Sequence, residues 1–405
     1  MNVLKIAVFR LRQNALRAAS YFVHWHVPAA FQGDSALADL AAFIARRKIS
    51  RVLVVTDRTM VSLGIAGKLF DALGSSGIGH SVFADAMTDP TTEAAYAAAA
   101  QYKDSGCAAV IAIGGGSAID CAKAASAVLS RPGMPLERMA GILKVLRRRV
   151  PLFAVPTTAG TGSEATAAAV VSDPVSHRKF VISDPCLIPD GTAFDPRLLT
   201  GLPAKITAET GLDALCHAVE AYVGRNNTRE TRQLAESAAR TIFSTLEYSA
   251  SNPADTAARA AMQQAAFQAG RAFTRAYIGY AHAIAHALGG TYRLPHGLAC
   301  AVSLPAVLEG YGSAARRPLE RLAESAGFPA SADCFISELR ALNERLGLPS
   351  TLACIRPEDI ESLSQTALRE ANPAYPVPRI FDHADMTEVL RKITGNQTSK
   401  AGSTA

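Results

Sequence analysis

No apolar run in this 405-residue chain approaches the ~20 residues needed to cross a bilayer, so no membrane-spanning helix is expected. Paired cysteines are missing too. Cys107, Cys121, Cys186, Cys216, Cys300, Cys334 and Cys354 are dispersed, odd in number and without a C-x-x-C pair. That argues for reduced thiols in a cytoplasmic setting and against a cysteine-ligated zinc site. Charge is scarce, at 19% of residues, yet the balance is +6. A basic protein invites a nucleic-acid reading, but Lys and Arg are spread along the chain and no aromatic-basic module accompanies them. The one tight run, Lys144 with Arg147, Arg148 and Arg149, reads as a solvated loop or helix end, so no nucleic-acid partner is expected. Acids are absent before Asp34, while Lys5, Arg10, Arg12 and Arg17 are present. Arg-rich transit peptides share that bias, but serine is sparse here and Tyr21, Phe22, Trp25 and Pro28 are residues that dock. The expectation for residues 1–32 is an extension with a short amphipathic helix packed on the body.

What is abundant is alanine and apolar surface, with 49% of residues hydrophobic. A chain of this length and composition is expected to fold as two domains. From about residue 33, helical and strand-like segments alternate. Residues 51–56 (RVLVVT), 80–83, 108–113 (AAVIAI) and 151–155 read as strands, and residues 36–48, 65–73 and 92–105 as helices. That rhythm implies parallel βαβ units in a doubly wound sheet. After Pro203 strand-like runs nearly vanish and long helices follow, at 204–222, 229–249, 254–276 and 278–288, with more from 314 to 392. The expected division is an α/β domain at 33–202, an all-helical domain at 203–394 and a disordered polar tail at 395–405.

Two turns in the α/β half suit a nucleotide. In AVIAIGGGSAIDCAKAAS a strand ends at Ile113, Gly114, Gly115 and Gly116 turn, and a helix begins near Ser117. Glycines admit close backbone approach, and a helix N-terminus offers free N–H groups to a phosphate. Ser117 and Asp120 also form an S-x-x-D capping pattern, and Asp120 and Lys123 lie within reach of the ligand side. A second turn, VPTTAGTGSEAT at 155–166, carries hydroxyls beside glycines after another strand. Ligands of open α/β sheets bind at strand C-termini, and Asp57, closing RVLVVTD, is placed to accept from an adenosine ribose.

Histidines cluster in the helical half. His282 and His286 stand four apart, with His296 soon after, and Asp213 and His217 stand four apart upstream. Residues four apart share a helix face. These five offer a mixed oxygen and nitrogen sphere suited to Fe²⁺, Zn²⁺, Mn²⁺ or Co²⁺. Spacing leaves all five as candidates, one more than the four a site needs.

Taken in order, the motifs resemble the iron-containing (group III) alcohol dehydrogenase family. They are VTD at 55–57, GGGSAIDCAKA at 114–124, PTTAGTGSE at 156–164, FDPRLLTGLP at 194–203, TAETGLDALCHAVEAYV at 207–223, HAIAHALGGTYRLPHG at 282–297 and ANPAYPVP at 371–378. The resemblance implies a dinucleotide-binding α/β domain followed by an all-α metal-binding domain, with the active site in the cleft between them. It implies Fe²⁺, or Zn²⁺, on Asp213, His217, His282 and His296, with His286 left near the nicotinamide as a catalytic polar or proton-relay group. It places Gly114, Gly115, Gly116, Ser117 and Asp120 at the pyrophosphate turn, and Thr157, Thr158, Thr161 and Lys179 along the rest of the cofactor. Asp57 would meet the ribose and repel a 2′-phosphate, favouring NAD over NADP, with Arg58 beside it softening that preference. The family's usual Asn-Pro-Thr is Asp89-Pro90-Thr91 here, a departure close to the cofactor. The expected activity is hydride transfer between a small alcohol, or its aldehyde or ketone, and the nicotinamide, by a homo-oligomer. Phe267, Phe273 and Tyr277 are the expected pocket-lining residues. The alternatives are a maleylacetate reductase-like enzyme of the same fold and a non-catalytic metal- or nucleotide-binding protein.

Overall fold

The computed structural model describes residues 3–146, 150–174 and 178–395. Arg147, Arg148 and Arg149 of the basic run, and the tail from residue 396, lie outside them.

Among the described residues the first half is built on nine strands: β1 (Ala29–Gln32), β2 (Arg51–Val55), β3 (Gly79–Phe83), β4 (Ala109–Gly114), β5 (Gly141–Ile142), β6 (Leu152–Pro156), β7 (Ala168–Asp173), β8 (Arg178–Ser183) and β9 (Gly191–Phe194). Six form a parallel sheet in the order β1-β9-β6-β4-β2-β3. The helices of this half are α1 (Val3–Ser20), α2 (Ala36–Arg46), α3 (Arg58–Ser62), α4 (Ile65–Ser75), α5 (Thr92–Asp104), α6 (Gly116–Ser130) and α7 (Leu136–Met139), of which α2, α4, α5 and α6 pack against the sheet. Strands β4 and β6 are buried along their whole length, as expected of central strands covered on both faces. The chain runs from β2 to the edge strand β3, then back past β2 to β4. The strand order therefore reverses between β2 and β4, and a crevice opens where Asp57 and the glycine turn emerge. A small second sheet, β5-β8-β7, hangs from this body and was not legible as strands beforehand.

The second half is helical: α8 (Ala204–Val223), α9 (Arg229–Ser251), α10 (Thr256–Ala276), α11 (Tyr280–Tyr292), α12 (His296–Tyr311), α13 (Arg316–Ser325), α14 (Ala332–Arg345), α15 (Ile360–Ala371) and α16 (His383–Thr394). One apolar core runs from α2 and the β-sheet through α8 to α16, so the halves share buried surface.

The loop after β6 joins them. An added Cβ on Gly160 would come within 2.6 Å of Thr210 on α8, and one on Gly162 within 2.7 Å of Gly270 on α10. Gly162 also has φ +61°, where L side chains are strained. On its other side the loop carries Thr158 and Thr161, which pack over Gly115 and Gly116. One loop thus touches both the glycine turn and, at Thr210, the helix turn that precedes Asp213.

Candidate active site

Helix α8 presents Asp213 and His217 on one stripe, α11 adds His282, and His296 opens α12. The Oδ1 of Asp213 lies 3.4 Å from His296 Nε2, 3.7 Å from His282 Nε2 and 3.8 Å from His217 Nδ1. Asp213 Oδ1, His217 Nδ1 and His282 Nε2 are buried and have no hydrogen-bond partner. Leaving such atoms unpaired in a dry interior is costly, at about 1–3 kcal/mol each. Ligands held about 2.0–2.2 Å from one ion stand about 3.3–3.6 Å apart in tetrahedral geometry, close to the separations seen. The donor set fits a divalent cation.

Electrostatics agree at Asp213 and His217. Burial works to raise the Asp213 carboxyl, but the imidazoles of His217, His296 and His282 around it outweigh it and hold it below the ordinary carboxylate value. Burial drives His217 down to about 3, so its ring is neutral and its lone pair is available. Phe273 stacks on that ring at 4.0 Å and fixes its plane.

Around the donors stands a layer of groups that spacing did not single out. Glu220, one turn beyond His217 on the same stripe of α8, accepts from His282 Nδ1 at 2.6 Å. It also accepts the backbone N–H of Gly279 at 2.6 Å and of Ala281 at 2.8 Å. A carboxylate on Nδ1 sets the tautomer that turns Nε2 toward the centre. The signal was present, since Asp213, His217 and Glu220 lie at i, i+4 and i+7, but it reads equally as an ordinary helical acid. Cys300 was also missed. Its Sγ sits 3.6 Å from His296 Nε2, in one group with Asp213 and His282.

His286 is placed apart from the donors. Its ring stacks on His296 with centroids 5.2 Å apart, and its Nδ1 bonds Glu370 Oε1 at 2.6 Å. Glu370 in turn accepts from the Tyr375 hydroxyl at 2.6 Å. The fifth histidine thus has its own carboxylate, and its Nε2 remains for the cleft. Tyr277 packs near Tyr375, with φ +70° and ψ 174°, a strained backbone for a non-glycine residue.

At the other side of the cleft, Gly114 has φ +152°, and an added Cβ there would meet Ala118 at 2.8 Å. A Cβ on Gly116 would strike Thr161 at 2.7 Å. Part of the demand for glycine therefore comes from the protein's own packing. Asp57 caps α3 through Oδ1, which accepts from Met60 N at 2.9 Å, while Oδ2 faces Gly114. Arg58 pairs with Asp85 at 2.7 Å on the surface.

Four expectations need correction, three in this half and one, Phe267, in the helical half. Ser117 caps nothing, because its hydroxyl donates to the Thr88 carbonyl. Asp120 does not face the ligand side. It is buried and accepts from Val170 N at 3.0 Å. Lys123 is buried too, donating to Thr166 and Ala168 carbonyls at 2.7 and 2.8 Å, with burial lowering its pKa to about 8. Phe267 is core rather than pocket lining, edge-on to Phe194 at 5.0 Å. Thr157 is buried, Thr158 and Thr161 are half-buried against the turn, and Lys179 is engaged by Asp89 at 2.5 Å. The departure from Asn to Asp at position 89 thus supplies a counter-charge to the lysine expected at the cofactor.

Residues 28–196 match the model of the iron-containing alcohol dehydrogenases, and residues 207–394 match that of the C-terminal part of the same family. The chain is 32% identical to the NAD-dependent methanol dehydrogenase of Bacillus methanolicus, over 90% of this chain and 97% of that one. It is 35% identical to alcohol dehydrogenase 4 of Saccharomyces cerevisiae, over 85% and 91% of the two. Its fold superposes on the crystal structure of a 1,3-propanediol oxidoreductase with a TM-score of 0.88 at 30% identity, covering 91% of this chain and 99% of that one.

Proposed function

The chain belongs to the iron-containing alcohol dehydrogenase family, and from that premise we propose that Asp213, His217, His282 and His296 hold one divalent ion facing a nicotinamide dinucleotide seated over the 114–116 turn. As a member it is an oxidoreductase, a metal-dependent alcohol dehydrogenase with iron and NAD as its cofactors. The observation that carries the site is the set of three buried donor atoms left without partners around Asp213.

When bound, the ion supplies Lewis acidity to an alcohol oxygen, and the nicotinamide supplies the hydride acceptor. The chain's own groups do the rest. Asp213 stays ionised and offsets the cation's charge. Glu220 keeps His282 Nδ1 protonated and its Nε2 aimed inward. His286 accepts the alcohol's proton at Nε2, and Glu370 stabilises the imidazolium that forms. Asp57 Oδ2 accepts from ribose hydroxyls and disfavours a 2′-phosphate, so NAD is preferred over NADP. The pairing of Arg58 with Asp85 supports the same preference.

The substrate is a small to medium, mostly apolar alcohol or its carbonyl partner, with Phe273 and Tyr277 at the wall. No helix among the described residues is long and apolar enough to cross a membrane. A cytoplasmic homo-oligomer, divided as 1–32, 33–202 and 203–394, completes the reading. The intact donor set speaks against a metal-free reductase or a non-catalytic binder. The test is metal analysis of the purified protein coupled to a screen of alcohols for NAD reduction. About one Fe²⁺ or Zn²⁺ per chain with alcohol-dependent NADH formation is expected. Metal-free protein that reduces NAD with no alcohol sinks the reading.

A further inference from the structure

Helix α1 precedes the part of the chain that the family models match, which begins at residue 28. Most of its surface is open, with Val3, Leu4 and Leu11 each at least 70% exposed. Gln13 is the exception, at 3% exposed. A leucine would anchor a helix as well, so a buried amide there implies a use for its polar atoms.

Those atoms grip the loop between α15 and α16. Gln13 Nε2 donates to the Pro373 carbonyl at 3.0 Å and the Tyr375 carbonyl at 2.8 Å. Arg10 Nη1 donates to the Val377 carbonyl at 2.7 Å, and Nη2 to the Pro378 carbonyl at 2.8 Å. The same guanidinium donates to Gln13 Oε1 at 2.8 Å and so orients the amide. The backbone N–H of Arg225 holds the Pro376 carbonyl at 2.7 Å. A segment with prolines at 373, 376 and 378 cannot join a helix or strand ladder, and apart from the Val377 N–H on the Tyr375 carbonyl the bonds to its carbonyls come from outside. Helix α1 supplies four of those five bonds.

The loop's other side carries Tyr375, whose hydroxyl bonds Glu370, which bonds His286, which stacks on His296. An unbroken series of contacts therefore runs from Gln13 to the cleft. We propose that α1 is a brace for the active site, with Gln13 and Arg10 as positioning residues that hold the 372–378 loop so that Tyr375 and Glu370 aim the His286 ring. This rests on the place given to His286 above.

The test is Gln13→Glu, which keeps the shape and removes both donors. Hydrogen exchange of the 372–378 amides should speed up. The kcat of alcohol oxidation should fall roughly tenfold, since small misplacements of a reacting group are costly, while KM for NAD stays unchanged. In a Glu370→Gln background the same change should cost less than about twofold, because residues acting in series are not additive. If Gln13→Glu does not fold, Arg10→Ala removes two of the four bonds and should show the same pattern at about threefold. Faster exchange with unchanged kcat overturns the brace, and so do losses that simply multiply in the double variant. A wild-type chain that reduces NAD with no alcohol overturns the reading of the site and the brace with it, whereas an active wild type with an indifferent variant overturns the brace alone.

Discussion

The two walls of the cleft are prepared in different ways. On the α/β wall nearly every polar group already has a partner inside the protein. Ser117 is on Thr88, Asp120 on Val170, Lys123 on Thr166 and Lys179 on Asp89. On the helical wall the groups at the centre are held apart, and Asp213 Oδ1, His217 Nδ1 and His282 Nε2 have none. The first wall leaves one buried atom, Asp120 Oδ1, without a partner and otherwise offers shape and a helix N-terminus. The second is incomplete without an ion and offers unsatisfied donors. A cofactor that must come and go suits the first arrangement, and a resident metal suits the second.

Breaking that contrast should show most strongly at the centre. His282→Ala removes a donor atom, and alcohol-dependent NADH formation should fall on the order of a thousandfold or more, with far-UV circular dichroism unchanged. Wild-type rates from that variant would remove the ion from the mechanism. Next comes the layer behind it. Glu220→Gln keeps the size but weakens the bond that orients His282, and should lower metal affinity about 10–100-fold in a chelator competition. Equal affinity would mean that Glu220 serves only the 279–281 backbone.

The opposite wall should respond less. Gly116→Ala sets a Cβ 2.7 Å from Thr161 and should weaken NAD binding about tenfold by calorimetry, with metal content unchanged. Loss of metal from this variant would erase the distinction between the walls. Smallest is Asp57→Gly, which should raise the NADP-to-NAD ratio of kcat/KM a few-fold, by roughly 1 kcal/mol. An unchanged ratio removes Asp57 from the ribose.

The same contrast explains what was readable from sequence. Helices α8 to α10 and strands β2, β4 and β6 announce themselves, because long periodic stretches and short unbroken apolar runs bounded by turn residues have few other uses. Strands β1 (AAFQ) and β9 (GTAF) are four residues each and poor in β-branched side chains, and only pairing with a neighbour makes them strands. The donor set was readable as five candidates, and motif order reduced them to four. What failed was side-chain aim. Asp120, Lys123 and Phe267 stand where a ligand-facing role was reasonable, and tertiary packing turned each inward. Glu370 had no signal, and Tyr375 lay inside the ANPAYPVP motif with no role attached, because their importance comes from a helix and a loop that meet only in the fold.

Gly162 and Gly270 touch backbone to backbone across the two halves, with no room for a methyl group on either side. That contact is a matched joint, and its two members lie 108 positions apart in the chain. Recombining the α/β half of this enzyme with the helical half of a relative would therefore work only if the donor brings a glycine, or an equally bare backbone, to the same spot. The halves are separable by eye but inherit as a pair, so new substrate pockets in this scaffold are better sought by changing side chains around the joint than by exchanging what lies on either side of it.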